Sequence, residues 1–196
     1  MRPDDPPRLT GLEPLAGADT RLLILGSFPS VASLNAGQYY AHPRNQFWPL
    51  LSCLLGVDLR ALPYPERVAA VLQRGVGIWD VYAACRREGS LDAAITAGEP
   101  NDLAGLVARL PRLRGIAHNG GASARFLART RGLVGRVDRL PSSSPANASW
   151  SFDRKLHAWR AVFAVHGLLP PAAPGDARAG AVCRGGHGRG AVRRPA

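Results

Sequence analysis

The feature that most constrains this chain is a short run, Arg21 to Leu25, apolar at every position after the arginine, that stops at Gly26 and passes into Ser27-Phe28-Pro29-Ser30. Five residues is strand length. A run that is apolar at successive rather than alternate positions needs cover on both faces, which is the setting of a buried parallel strand. Comparable segments follow. Gly77-Ile78-Trp79-Asp80-Val81 reads as a strand or the approach to one, Arg114 to His118 as a strand ending at Asn119-Gly120-Gly121, and Arg136 to Leu140 as a strand entering Pro141-Ser142-Ser143-Ser144-Pro145. Helical patterns alternate with them. Phe47, Leu50, Leu51, Leu54 and Leu55 recur at helical spacing from Asn45 to Leu55, and Pro49 is tolerable there because it falls in or near the first turn. Glu66 to Arg74 reads as a helix closed by Gly75, Asp102 to Leu110 and Ser123 to Arg129 as two more, and Phe152, Leu156, Trp159 and Phe163 mark one face of a closing helix. Repeated strand, loop and helix units predict an α/β fold: a three-layer α/β/α sandwich around a short, mainly parallel central sheet, with ligands at the carboxyl ends of its strands.

At 196 residues, 46% of them hydrophobic, the chain has the material for one cored domain. We place it at residues 20–169. Residues 1–19 are Pro-rich and read as irregular. From residue 170 to 196 the composition turns to Ala, Gly, Pro and Arg without hydrophobic period, the signature of a disordered basic tail. Twenty-five Lys and Arg against 14 Asp and Glu give +11 and favour a polyanionic partner, nucleic acid first. GC-rich coding explains part of that charge, since Lys155 is the single lysine. The polar stretch from Arg86 to Pro100 is expected to be an exposed loop, with Arg86-Arg87 a solvated face.

Cysteines at 53, 85 and 183 form no CxxC and have no partners at metal-ligand spacing, so no zinc site is indicated. Nor can three thiols supply a four-cysteine iron-sulfur cluster. No metal or cofactor is expected. The N-terminal residues lack the apolar core of a signal peptide, and no stretch approaches 18 uninterrupted apolar residues, so a cytoplasmic protein without membrane attachment is expected.

Three loops carry the chemistry. Gly26-Ser27-Phe28-Pro29-Ser30, Tyr39-Tyr40-Ala41-His42-Pro43-Arg44-Asn45-Gln46-Phe47-Trp48 and Leu140-Pro141-Ser142-Ser143-Ser144-Pro145-Ala146-Asn147 concentrate polar and aromatic groups after predicted strands. In order and spacing they resemble the uracil-DNA glycosylase superfamily, most closely its branch of hypoxanthine (deoxyinosine) and uracil DNA glycosylases, over Arg21 to Val165. The resemblance implies that superfamily's α/β sandwich and a monofunctional DNA glycosylase that releases deaminated bases, hypoxanthine first and uracil second, to start base excision repair. It implies a monomer working on DNA, nucleoid-associated in a bacterial cell. With no lysine placed for a Schiff base, no lyase activity is expected.

Excising a base requires extruding the nucleotide, gripping the base and helping water capture an oxocarbenium-like sugar. Asn45, at the mouth of a helix, suits orienting a water through its amide oxygen, and it matches the asparagine of the AHPRN segment on which this branch relies. Asn is equally an ordinary helix N-cap. Backbone amides after Gly26, in Ser27 and Phe28, suit hydrogen bonding to the base carbonyl, with Pro29 stiffening the turn. By similarity Tyr40 stacks on the extruded base and Asn119 reads its edge, while Asn-Gly is also a common turn dipeptide and Tyr40 fits a half-buried core position. Ser30 and Arg44 are assigned to DNA, and His42 to ordering its loop. Ser142, Ser143 and Ser144 suit phosphates, and Pro145, Ala146 and Asn147 a wedge in the vacated stack. The plain alternative is a proline-rich surface loop before the closing helix, capped by Ser149 or Ser151.

Two positions depart from the superfamily. Phe28 stands where other branches place a water-activating Asp or Asn, and Leu140 where they place a histidine. The departures point to a dissociative reaction in which electrostatic support of the departing base outweighs a strong general base. His118 reads as a satisfied core histidine. Two other functions fit parts of the pattern: a non-catalytic nucleic-acid-binding module that has kept the fold, and an α/β enzyme acting on free nucleosides or nucleotides.

Overall fold

The computed structural model describes residues 6–171. Four strands, β2 (Leu22–Gly26), β3 (Val76–Asp80), β6 (Gly115–Asn119) and β7 (Arg136–Leu140), form a parallel sheet in the order β3-β2-β6-β7. Leu22, Leu23, Ile24 and Leu25 have no exposed surface. Successive strand residues point to opposite faces, so both faces of β2 are covered, as the unbroken apolar run demands. The cover comes from helices, among them α2 (Phe47–Leu55), α3 (Tyr64–Gln73), α5 (Gly121–Ala124) and α7 (Phe152–Val165), with α2 and α7 packed together and α3 against β3. Pro49 falls in the first turn of α2, where no intrahelical N–H bond is lost. Ser151 caps α7, its hydroxyl accepting from Arg154 N. An aromatic chain runs through this layer: Phe47 meets Trp159 edge to face at 5.8 Å, and Trp159 meets Phe163.

Register decides what the strand ends bring together. Gly26 lies opposite Asp80, Leu25 opposite His118, and Asn119 opposite Leu140. The carboxyl edge of the sheet therefore presents the row Asp80, Gly26, Asn119, Leu140.

The remaining architecture corrects three expectations. Residues 1–19 are not wholly irregular, because Arg8–Thr10 form β1, and the Arg86 to Pro100 stretch is not a simple loop. β1, β4 (Tyr82–Arg86) and β5 (Thr96–Pro100) make a second, antiparallel sheet in the order β1-β4-β5, and a 3-10 turn at Asp92–Ala94 precedes β5. Arg8 ties its edges together through a bidentate bond to Glu99, 2.8 Å at its shortest. The single helix expected over Ser123 to Arg129 is two short segments, α5 and α6 (Leu127–Thr130), between which Ser123 and Thr130 both turn their hydroxyls to His118. A further helix, α1 (Val31–Ala36), follows the first loop, and α4 (Leu103–Ala108) starts at Asp102, whose carboxylate accepts from Gly105 N. The basic segment read as disordered lies outside the described residues beyond Pro171.

Candidate active site

The three loops converge over the carboxyl edge of the parallel sheet. One pocket there is lined by Gly26, Ser27, Phe28, Pro29 and Ser30 from the first loop, Tyr40 and Asn45 from the second, and Ser142, Ser143, Ser144 and Ala146 from the third, with Asn119 rising from β6. Most of the residues singled out from sequence thus share one cavity. Arg44 is exposed outside its lining, and its backbone N donates to His42 Nδ1, so His42 orders the loop as expected. Asn147 lies in an adjoining groove with Gly120, Arg139, Pro141 and Trp150, while Pro145 sits at the exposed tip of the third loop.

Gly26 is required sterically. A Cβ there would lie 2.2 Å from Asp80 Oδ1 and 3.1 Å from the Tyr40 hydroxyl. Tyr40 has φ +54°, a left-handed backbone that costs a side-chain-bearing residue of order 1 kcal/mol or more. Its compensation is a stack on Phe47 with centroids 3.7 Å apart and planes 14° from parallel, plus a hydrogen bond from Asn119 Nδ2 at 3.2 Å. Burial, aided by Asp80, drives the Tyr40 hydroxyl well above the ordinary phenol pKa, so it stays protonated.

Asn119 fastens the third loop. Its Nδ2 donates to Ser143 Oγ at 2.9 Å and its Oδ1 accepts from Ser143 N at 3.0 Å, while Ser143 O accepts from Gln46 N. Ser143 has no exposed surface, so this clamp holds the Ser loop against both β6 and the start of α2. The neighbouring hydroxyls fold the loop on itself: Ser142 Oγ accepts from Ser144 N, and Ser144 Oγ from Ala146 N. Ser30 caps α1 by accepting from Ser33 N. Asn45 Oδ1 accepts from Phe47 N at 3.0 Å, an Asx-turn bond made one residue ahead of the N-cap, which is Gln46 and not the Asn45 that the sequence offered. A carboxamide oxygen has two lone pairs, so that bond leaves one for a water.

The structure adds residues that the sequence reading passed over. Asp80 lines the pocket at 4% exposure, and burial, reinforced by Asp92 and only partly offset by Arg87, pushes its carboxyl up to about 8. Among the described residues its Oδ2 has no hydrogen-bond partner. Ser90, Leu91 and Asp92 form part of the rim, where Ser27 Oγ donates to Asp92 Oδ1 at 2.5 Å and Val31 N donates to Ser90 Oγ. Arg87 is the clearest reversal. It is 1% exposed, not solvated: its guanidinium donates to Pro29 O and lies 5.0 Å from the Phe28 ring centroid, bracing the first loop from below. In the sequence Asp80 shows only as a carboxylate closing an apolar strand; its place beside Gly26 comes from the register between β2 and β3. His118, by contrast, is in the core as expected. Its Nδ1 lies 2.8 Å from Ser123 Oγ and its Nε2 2.9 Å from Thr130 Oγ1, and burial lowers its pKa to about 4.

The sequence model of the Uracil DNA glycosylase superfamily matches residues 14–163. The chain belongs to the uracil DNA glycosylase superfamily. Within it, the chain is 38% identical over 153 residues to a protein named hypoxanthine DNA glycosylase from Methanosarcina acetivorans, covering 78% of this chain and 96% of that one. It is 36% identical, with the same coverage, to the protein of that name from Methanosarcina barkeri. Both named relatives are archaeal. The solution structure of a candidate uracil DNA glycosylase from M. acetivorans superposes with a TM-score of 0.73 at 37% identity, over 82% of this chain and 99% of that one. The superfamily's α/β sandwich is therefore the fold described above. Among the described residues, no helix is long and apolar enough to cross a membrane.

Proposed function

We propose that the chain is a monofunctional DNA glycosylase, working as a monomer, that hydrolyses the N-glycosidic bond of deaminated bases in DNA. The observation that carries the reading is the convergence of Asn45, Tyr40, Asn119 and the Ser142 to Ala146 loop on one pocket at the sheet edge, in a chain similar over most of its length to proteins named hypoxanthine DNA glycosylase. The extruded base enters the pocket beside Phe28 and Tyr40. Backbone N–H groups of Ser27 and Phe28, at the strand-to-turn junction, bond its carbonyl, and Asn119, whose Nδ2 is committed to Tyr40 and Ser143, reads its edge through the remaining lone pair of Oδ1. Asn45 aligns the water that bonds to the sugar C1′ as the base departs. Ser142 and Ser144 compress the DNA backbone on a loop that buried Ser143 holds in place rather than touching DNA itself, Pro145, Ala146 and Asn147 fill the vacated stack, and Ser30 and Arg44 hold phosphates.

Lys155, the one lysine, is 2% exposed and donates to Gln46 Oε1 at 2.8 Å. That bond ties α7 to the start of α2 and supports hydrolysis without a Schiff base, giving an abasic site in an unbroken strand. The test pairs duplexes carrying a single hypoxanthine or uracil with the free deoxynucleosides. Abasic sites formed in the duplexes, with the nucleosides untouched, is the expected result. Preference for the nucleosides would make the chain a nucleoside hydrolase, and tight binding with intact DNA would make it a binding module.

A further inference from the structure

The pocket contains no His, Lys or Arg among its lining residues, so no cationic or imidazole group is available there to support a departing base. It does contain a carboxyl group placed where carboxyl groups are rarely left. Asp80 ends β3 directly opposite Gly26. Its backbone is held from both sides, Asn101 Nδ2 donating to Asp80 O at 2.9 Å and Val81 N donating to Gly26 O at 3.0 Å. Its Oδ1 occupies the space that the missing Cβ of Gly26 leaves, and its Oδ2 is unpartnered among the described residues. No cation within salt-bridge distance of Asp80 occurs among the described residues. Arg87, whose charge acts on Asp80, directs its one recorded bond to Pro29 O, and its Nε and Nη1 are unpartnered among the described residues. An ionised carboxylate in such a place would be an unpaired buried charge, which proteins avoid by keeping the group protonated.

Resting on the glycosylase reading, we propose that Asp80 is a catalytic residue that acts as a neutral carboxylic acid, donating a hydrogen bond to the carbonyl oxygen of the extruded base. The electron pair of the C1′–N bond leaves with the base and is delocalised onto that oxygen. Water forms the new C1′–O bond and releases one proton to solvent, and the base takes up one from solvent, so Asp80 ends the cycle protonated as it began. A donor aimed at developing charge in a dry pocket stabilises the transition state more than the ground state. This gives the dissociative reaction an electrophile inside the pocket. Burial does most to keep the proton on Asp80; Asp92 of the 3-10 turn adds a charge that favours the neutral acid, Arg87 beyond β4 one that opposes it, and Tyr39 and Tyr40 of the second loop face it as uncharged phenols. The balance holds the carboxyl neutral up to about pH 8.

The test is single-turnover excision of hypoxanthine from a duplex, measured from pH 6 to 10 for wild type, Asp80→Asn and Asp80→Ala. Wild-type rate is expected to fall about tenfold per pH unit above about 8. Asp80→Asn, which keeps an N–H donor, slows less than about tenfold at pH 7 and loses that alkaline fall. Asp80→Ala slows by about 10² to 10³-fold at every pH, the usual loss for one such donor. Ionisation of the base itself limits all three proteins alike, so an identical alkaline fall in wild type and Asp80→Asn overturns the proposal. So does an Asp80→Ala rate within threefold of wild type, or a wild-type rate that rises through pH 8, the mark of an ionised general base. Thermal melts supply a readout independent of excision. An unfolded chain ionises Asp near 3.8 while the native chain holds the proton to about 8, so native stability falls as pH rises between those values. Asp80→Asn is therefore expected to melt above wild type by a margin that widens from pH 4 toward pH 8, and a constant margin contradicts the protonated state. Wild type inactive on every lesion overturns the glycosylase reading itself, whereas active wild type with indifferent Asp80 variants overturns only this inference.

Discussion

Asn119→Ala offers a quantitative test of how the pocket is assembled. The substitution removes the bonds from Asn119 Nδ2 to Tyr40 Oη and Ser143 Oγ and the bond from Ser143 N to Asn119 Oδ1. Two lost side-chain bonds contribute about 1 kcal/mol each, and the orphaned Ser143 N–H, buried with no exposed surface, adds about 1 to 3 kcal/mol, so a loss of about 4 kcal/mol is expected. Ser143→Ala removes only the hydroxyl acceptor and should cost about 1 kcal/mol. Once Asn119 is gone that hydroxyl has nothing left to lose, so the double variant should be about as stable as Asn119→Ala alone, a coupling of about 1 kcal/mol. Urea unfolding of the four proteins in a double-mutant cycle measures it. Additivity to within about 0.3 kcal/mol would refute the clamp. The same variant, assayed on a panel of lesions, should lose discrimination among bases.

Asn45→Ala should slow excision by about 10² to 10⁴-fold in a folded protein, and Asn45→Asp should recover part of the rate if a water is being oriented; rates within a few-fold of wild type in both would leave Asn45 only its turn bond to Phe47 N. Tyr40→Ala should weaken handling of every base alike, read as a uniform loss over hypoxanthine and uracil duplexes, because stacking is nearly indifferent to base identity. His118, titrating near 4 in the native chain and near 6.5 when unfolded, makes stability fall by about 3 kcal/mol as pH drops between those values, because the unfolded chain takes the proton first. Urea midpoints of wild type and His118→Gln from pH 7 to 4 check it, the variant being expected to lack that decline.

What was legible in the sequence follows from where the physics is local. β2, β3 and β6 were readable because burial on both faces writes itself as short, largely apolar runs ending in Gly, Asp or Asn, whereas the edge strand β7, Arg-Val-Asp-Arg-Leu, is mostly unburied and was marked by the Pro/Ser loop it enters. The three loops were readable because their polar and aromatic content has no other use after such strands. The antiparallel sheet was not, since β1 has three residues and β5, Thr96–Pro100, is exposed throughout and carries both Gly and Pro. Its pairing depends on β4 and on Arg8 reaching Glu99 across 91 residues of sequence, which no local pattern records. Arg87 looked solvated because it sits in a polar run, yet it lies buried under the first loop. Asp80 escaped notice because its neighbours in sequence say nothing of Gly26, and only the register between β2 and β3 brings the two together.

The most direct measurement of the central claim is the product of one reaction: the protein in excess over a duplex with a single hypoxanthine, analysed by mass spectrometry for free base and for the strand that carried it. The account predicts free hypoxanthine in equal amount to an unbroken strand bearing an abasic site. Recovery of the strand with its hypoxanthine still attached, from protein shown to be folded, would contradict it.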